Sequence, residues 1–245
     1  MKKRKVIEAG VFALAVLMIF SCTGPEGKEG PTGPQGPAGP EQPGIYYIRM
    51  FQNGVYSETY AGQVESSIFI GTSEPVYTNN TMPIGLGQKE RGTYRALIKF
   101  DLSSLPRNKI IVDKAELTIK TNSVNYGGGA YNMSVHRIMS PWTVFKNSWD
   151  WASPGIRWGS YGGDYNSNTI TPQSATIDLP ANSTITIELD QEVVRDWMEH
   201  PETNYGMIFN GVDEFAYNNY AEIYPSGAEN TTNRPFLKIY YYTIE

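Results

Sequence analysis

A chain of 245 residues with 40% hydrophobic and 13% aromatic side chains can bury a core of its own, and 18% charged residues are too few for a charge-solvated disordered chain. The formal charge of −5 deepens to −8 when residues 1–21 are set aside with Lys2, Lys3, Arg4 and Lys5 against Glu8, leaving 16 basic and 24 acidic residues. No basic run remains, which argues against nucleic acid and anionic lipid as partners.

Residues 1–21 read as a signal peptide. Four basic residues precede a 12-residue apolar run from Ala9 to Phe20, too short to span a bilayer. The run ends Ile19-Phe20-Ser21-Cys22, which resembles a bacterial lipobox except that Phe20 replaces the usual small residue. Cys22 is the only cysteine, so it is the candidate lipidation site and no intrachain disulfide can form. Each buried lipid methylene contributes about 0.8 kcal/mol, so two or three acyl chains would hold firmly. The expected location is exported and lipid-anchored, at a bacterial outer membrane or cell surface, with the lipid as the sole membrane contact.

Residues 22–44 carry the anchor and a stalk. From Gly24 to Glu41 glycine recurs at every third position for six triplets, followed by proline in five of them. Only glycine fits the axis of a collagen triple helix, so the pattern predicts either a homotrimer or a single polyproline-II tether of about 55 Å.

Past the stalk the signals are those of strands. Ile45–Phe51 and Val55–Tyr60 flank Asn53-Gly54 and predict an accessory hairpin over residues 45–63. Residues 64–245 predict the main domain, with Glu65–Ile70 its first strand and Pro75–Gly87 a loop. In Arg91–Pro106, Tyr94, Ala96, Ile98 and Phe100 alternate with Arg95, Leu97, Lys99 and Asp101, the pattern of a strand buried on one face. Ser103-Ser104-Leu105-Pro106 should stop it, the hydroxyls bonding local backbone. Ala115/Leu117/Ile119, Tyr131/Met133/Val135 and Ile185/Ile187/Leu189 predict three more inward-facing sets, and Gly206–Asn210, Tyr220–Tyr224 and Phe236–Tyr242 the last strands. One helix is expected at Gln191–Glu199, capped by Asp190, with Val193, Val194, Trp197 and Met198 as its apolar stripe and Pro201 beyond its end. The fold class is therefore all-β: an antiparallel, jelly-roll-like β-sandwich with one short helix.

The ordered run RALIKFDLSSLP, VDKAELTIK, VHRIMSPW, GGDY, a short helix with Trp197, NYGMIFNG and RPFLKIYY resembles the DNRLRE-type domain, which is similar to the family-96 carbohydrate-binding modules. The resemblance covers Val64–Glu245. It implies a β-sandwich and a carbohydrate-binding appendage, and it carries over no specific binding residue, since a fold does not fix a function.

His136 and His200 lack partners at metal-ligand spacing, and no nucleophile elbow or phosphate loop occurs, so nothing points to an enzyme. A glycosidase's two carboxylates would leave no trace in sequence spacing. The unusual stretch is Pro141–Asn168, with four of the five tryptophans. A loop that long is usually functional or held by its own side chains. Trp142 follows a strand and Trp149 fits the family pattern, so both read as packing. Trp151, Trp158, Tyr161 and Tyr165, with Arg157, are the candidate ligand-binding residues. Asp164, Asn166 and Asn168 alternate like the start of a calcium loop, although Thr169 and Ala175 stand where an EF-hand needs glycine and glutamate. Calcium is the only cofactor the chain suggests. Three functions remain: a lipoprotein displaying a non-catalytic module for a polysaccharide, a structural or adhesive protein trimerised by the stalk, and a glycan-cleaving enzyme.

Overall fold

The computed structural model describes residues 44–55, 60–70, 81–86, 92–127, 130–216 and 219–244. Residues 1–21, expected to be a signal peptide, Cys22 and the Gly24–Glu41 triplets lie outside them. In chain order the strands are β1 (Tyr46–Phe51), β2 (Gln63–Phe69), β3 (Met82–Leu86), β4 (Thr93–Phe100), β5 (Ile110–Asn125), β6 (Tyr131–Ile138), β7 (Trp151–Ser153), β8 (Ile156–Arg157), β9 (Tyr165–Thr169), β10 (Ile177–Leu179) and β11 (Thr184–Leu189). The helix α1 (Gln191–Glu199) follows, then β12 (Met207–Gly211), β13 (Tyr220–Ile223) and β14 (Phe236–Thr243). All pairings are antiparallel, and the fold is an all-β, jelly-roll-like sandwich with one helix.

The two sheets share β5. Its first half pairs with β14 and β11, and β14 in turn with β1, forming the first sheet. From Thr121 onward it pairs with β13, through a register shift at Glu222/Ile223, and so enters the second sheet. Strands that switch sheets at such irregularities make the corners of sandwiches. The second sheet continues through β13–β3, with β4 contacting β3, β12 and β2, and with β6 joining β12 to β9 and β10. Between the sheets lies the main core, where Ala96, Ile98 and Phe100 of β4 meet Ala115, Leu117 and Ile119 of β5 and Tyr131, Met133 and Val135 of β6. The helix closes one side with Val194, Trp197 and Met198, and the Asp190 carboxylate accepts from the amides of Glu192 and Val193 at 2.8 and 3.3 Å, as its position predicts.

Three expectations change. β4 is buried on both faces: Leu97 is fully enclosed and Arg95 is 7% exposed, because a second, smaller core of Ile68, Leu97, Ile138, Trp149, Ala152, Trp158 and Ile208 lies on the outer side of the sheet. The β1 segment is the edge of the first sheet, paired along its length with β14 and sinking Phe51 into the main core, rather than the arm of an appended hairpin. The Asn53-Gly54 turn exists, with Gly54 at φ +70°, and the Asn53 side chain clamps the Gln63 backbone, accepting from its N–H at 3.0 Å and donating to its carbonyl at 2.9 Å. Part of the expected second arm, residues 56–59, lies outside the described residues. Met82–Leu86, expected within a loop, is a strand. At the end of β4 the turn is held by Asp101, whose side chain accepts from the Ser103 amide at 2.9 Å.

Candidate functional site

Residues 141–169 form a cap over the outer face of the second sheet. The cap is tied to the sandwich at its base, where the Met139 amide donates to the Asp164 carbonyl at 2.8 Å and the Trp142 indole N–H to the Tyr205 carbonyl at 2.8 Å. Its interior is largely apolar. Trp149, Ala152 and Trp158 point down onto Ile68, Leu97 and Ile208. The Trp158 N–H donates to the Ser148 carbonyl at 2.9 Å, so the indole is buried with its one donor satisfied.

Two polar anchors hold the cap in shape. The first is Asp164. Its Oδ1 accepts from the Ser160 amide at 2.7 Å, and its Oδ2 from the Gly159 amide and the Ser140 hydroxyl, both at 2.9 Å. The second is Arg95, which rises from β4 beneath the cap. Its guanidinium bonds both oxygens of Glu214, Nε at 2.9 Å and Nη2 at 2.5 Å, and donates from Nη1 to the Gly162 carbonyl at 2.7 Å. It lies 4.7 Å from the Trp149 ring centre and 5.4 Å from that of Tyr165. His136 fastens β9 to β6: Nδ1 lies 3.0 and 3.2 Å from the carbonyls of Asn166 and Asn168 and so carries the proton, leaving Nε2 to accept from the Ser134 hydroxyl at 2.9 Å. Burial lowers the His136 pKa, which favours this neutral form.

The five residues expected to bind ligand divide. Trp151 and Arg157 are register partners across the β7–β8 hairpin, so their side chains share its outward face. The guanidinium lies 4.5 Å from the Trp151 ring centre, and Nη1 reaches the Tyr161 hydroxyl at 3.5 Å. Tyr161 is 65% exposed. These three form one continuous surface of indole, guanidinium and phenol. Arg157 has no carboxylate within ion-pair distance among the described residues, so its charge faces water. Trp158 does not join them. At 4% exposure it belongs to the second core: it lies just past β8, whose two residues are both exposed, and its indole N–H is held by the Ser148 carbonyl. Tyr165 is also turned inward, between Arg95 and His136, 5.0 Å from the imidazole centre.

Of the three residues expected to hold calcium, Asp164 and Asn166 have side-chain partners within the cap. Asp164 receives the three donors above, and Asn166 Oδ1 accepts from the Asn168 amide at 2.9 Å. The backbone carbonyls of Asn166 and Asn168 point at His136 through a register shift in β9. Among the described residues no group of three or more His, Cys, Asp or Glu side chains is placed to hold a metal.

Arg95, Glu214 and His136 are the organising residues that sequence reasoning missed. Arg95 and His136 stood on strands as ordinary polar positions, and Glu214 lies 119 residues beyond its partner, a separation that carries no local signal. Compared with known proteins, the chain matches no family model and no curated protein.

Proposed function

We propose that this protein is a bacterial surface lipoprotein displaying a non-catalytic polysaccharide-binding module of the DNRLRE type. One observation carries the reading: the solvent-facing Trp151–Arg157–Tyr161 surface on a cap whose other tryptophans, Trp142, Trp149 and Trp158, are packed or hydrogen-bonded. Sugar rings present C–H faces that pack on indole and phenol, and an unpaired guanidinium suits the carboxylates of an acidic glycan in two-point contact. A platform fixed on a rigid support binds without first ordering itself, which lowers the entropic cost of association. The Gly24–Glu41 triplets lift the module from the membrane, as a tether or, trimerised, as a stem for an adhesive head.

Affinity electrophoresis through gels containing alginate or polygalacturonate tests the platform. The parent should be retarded, and Trp151→Ala and Arg157→Ala should each weaken retention by about 1–3 kcal/mol, the worth of one large buried contact. Unretarded parent protein in every acidic gel would overturn the acidic-glycan reading. The anchor is tested separately. Cys22→Ala should move the protein from the membrane to the soluble fraction of cells, and a variant as firmly membrane-bound as the parent would show that lipidation is not the anchor.

A further inference from the structure

The outer face of the first sheet carries a second aromatic surface, remote in sequence from the cap. Tyr46 on β1 lies opposite Tyr242 on β14, and Ile48 opposite Tyr240. The Tyr46 ring centre is 4.7 Å from that of Tyr242 and 6.4 Å from that of Tyr240. Tyr46 is 44% exposed, and Ile48 and Ile111 beside it are each 47% exposed. Solvent-facing sheet surfaces are ordinarily polar, and a contiguous apolar patch marks a contact site.

The next strands continue the surface with polar groups. Tyr240 is register partner to Lys114 on β5, and its hydroxyl donates to Glu116 at 3.0 Å. Lys238 lies 4.6 Å over the Tyr240 ring centre, and Lys114 pairs with Glu116 at 2.7 Å. On β11, Glu188 sits opposite Glu116 and accepts from Gln173 at 2.8 Å. There the face opens into a cleft of about 310 Å³, whose walls include Thr171, Gln173, Thr186 and Glu188.

Three features of this arrangement identify the ligand. The tyrosines offer flat apolar faces in a row. Lys114 and Glu116 form an ion pair, Lys238 lies over the Tyr240 ring and Glu188 accepts from Gln173, so among these four residues two cations balance two carboxylates and neither sign is in excess to select an acidic or a basic ligand. The carboxylates of Glu116 and Glu188 can each accept further hydrogen bonds from hydroxyls. A row crossing four strands at about 4.8 Å per strand runs roughly 15 Å, the reach of a few linked sugar rings. We propose that this face binds a neutral polysaccharide, the chain lying across β1, β14, β5 and β11 and entering the cleft beside Glu188. It is independent of the cap, which covers the other sheet.

The chain without its leader, Thr23–Glu245, should be retarded in gels containing hydroxyethyl cellulose or galactomannan. The double variant Tyr46→Ala/Tyr240→Ala should lose about tenfold or more in affinity. Thr186→Arg, an exposed change that fills the cleft mouth without touching the core, should lose a similar amount and guards against a folding defect in the first variant. Trp151→Ala/Arg157→Ala should retain neutral-glycan binding, so failure of the cap reading and failure of this one are distinct. The proposal is overturned if the parent is not retarded by neutral glycans, if Thr186→Arg binds as the parent does, or if only the cap variant loses binding. It is equally overturned if sedimentation shows a dimer that Tyr46→Ala/Tyr240→Ala dissolves, since the face would then belong to a second copy.

Discussion

Glu214→Ala should lower stability by about 3–5 kcal/mol, the range found when one partner of a buried ion pair is removed and the other is left uncompensated. The stranded group would be Arg95, 7% exposed, whose side chain is roofed by Trp149 and Tyr165. At about 2–4 °C per kcal/mol for a domain this long, the melting temperature should fall by roughly 6–20 °C. Arg95→Met combined with Glu214→Leu should recover much of that loss, because apolar replacements of a buried pair are often neutral or better. It should not recover the cap. Arg95 Nη1 is the donor to the Gly162 carbonyl, and methionine cannot replace it. Limited proteolysis within residues 141–169 should therefore be faster in the double variant than in the parent even at equal melting temperature. A Glu214→Ala protein melting within about 2 °C of the parent, where surface changes fall, would mean that the pair is solvated in solution.

That pair also marks where sequence reading stops. The helix was legible because its cap, stripe and terminating proline are all local. β5, β6 and β11 were legible because one face of each meets the main core and period-two alternation survives. β4 has the same alternation, yet its second face is covered by Ile68 upstream and by residues from Ile138 to Glu214 far downstream, and nothing in Arg95 or Leu97 announces that cover. β3 was hidden for a different reason. Pro83 and Gly85 are strand-breaking residues, but Gly85 at φ +97° lets the Tyr131 ring approach, where a Cβ would stand 2.4 Å from its hydroxyl. Gly211 flanks the same ring, with a Cβ position 1.8 Å from that oxygen. Both glycines leave room for one tyrosine, and Gly85 for the Asn219 carbonyl as well, contacts visible only once the strands are assembled. The aromatic loop was legible as unusual and not as a surface: β8 spans only Ile156 and Arg157, both exposed, so alternation could not reveal that Trp158, just beyond it, turns inward. The tyrosines of β1 and β14 lay apart in sequence and became a row only through the pairing of the first and last strands.

Trp158 and Trp151 are seven residues apart, and their substitutions should separate folding from binding. Trp158→Ala removes an indole that is 4% exposed among Ile68, Leu97, Ile138 and Ile208, and leaves the Ser148 carbonyl without its donor. The expected cost is about 3–5 kcal/mol for an aromatic side chain deleted from a packed core, or roughly 6–20 °C in melting temperature. Acidic-glycan binding should fall only as far as the cap loosens, and should return when the variant is assayed at a temperature well below its transition. Trp151→Ala removes a half-exposed ring that supports Arg157 from one side. Its melting temperature should stay within a few degrees of the parent's, while binding weakens at every temperature. The decisive comparison is the pair of ratios, melting shift against affinity loss. A Trp158→Ala protein with unchanged melting temperature would remove the second core from the account. A Trp151→Ala protein that binds alginate and polygalacturonate as well as the parent would remove the platform.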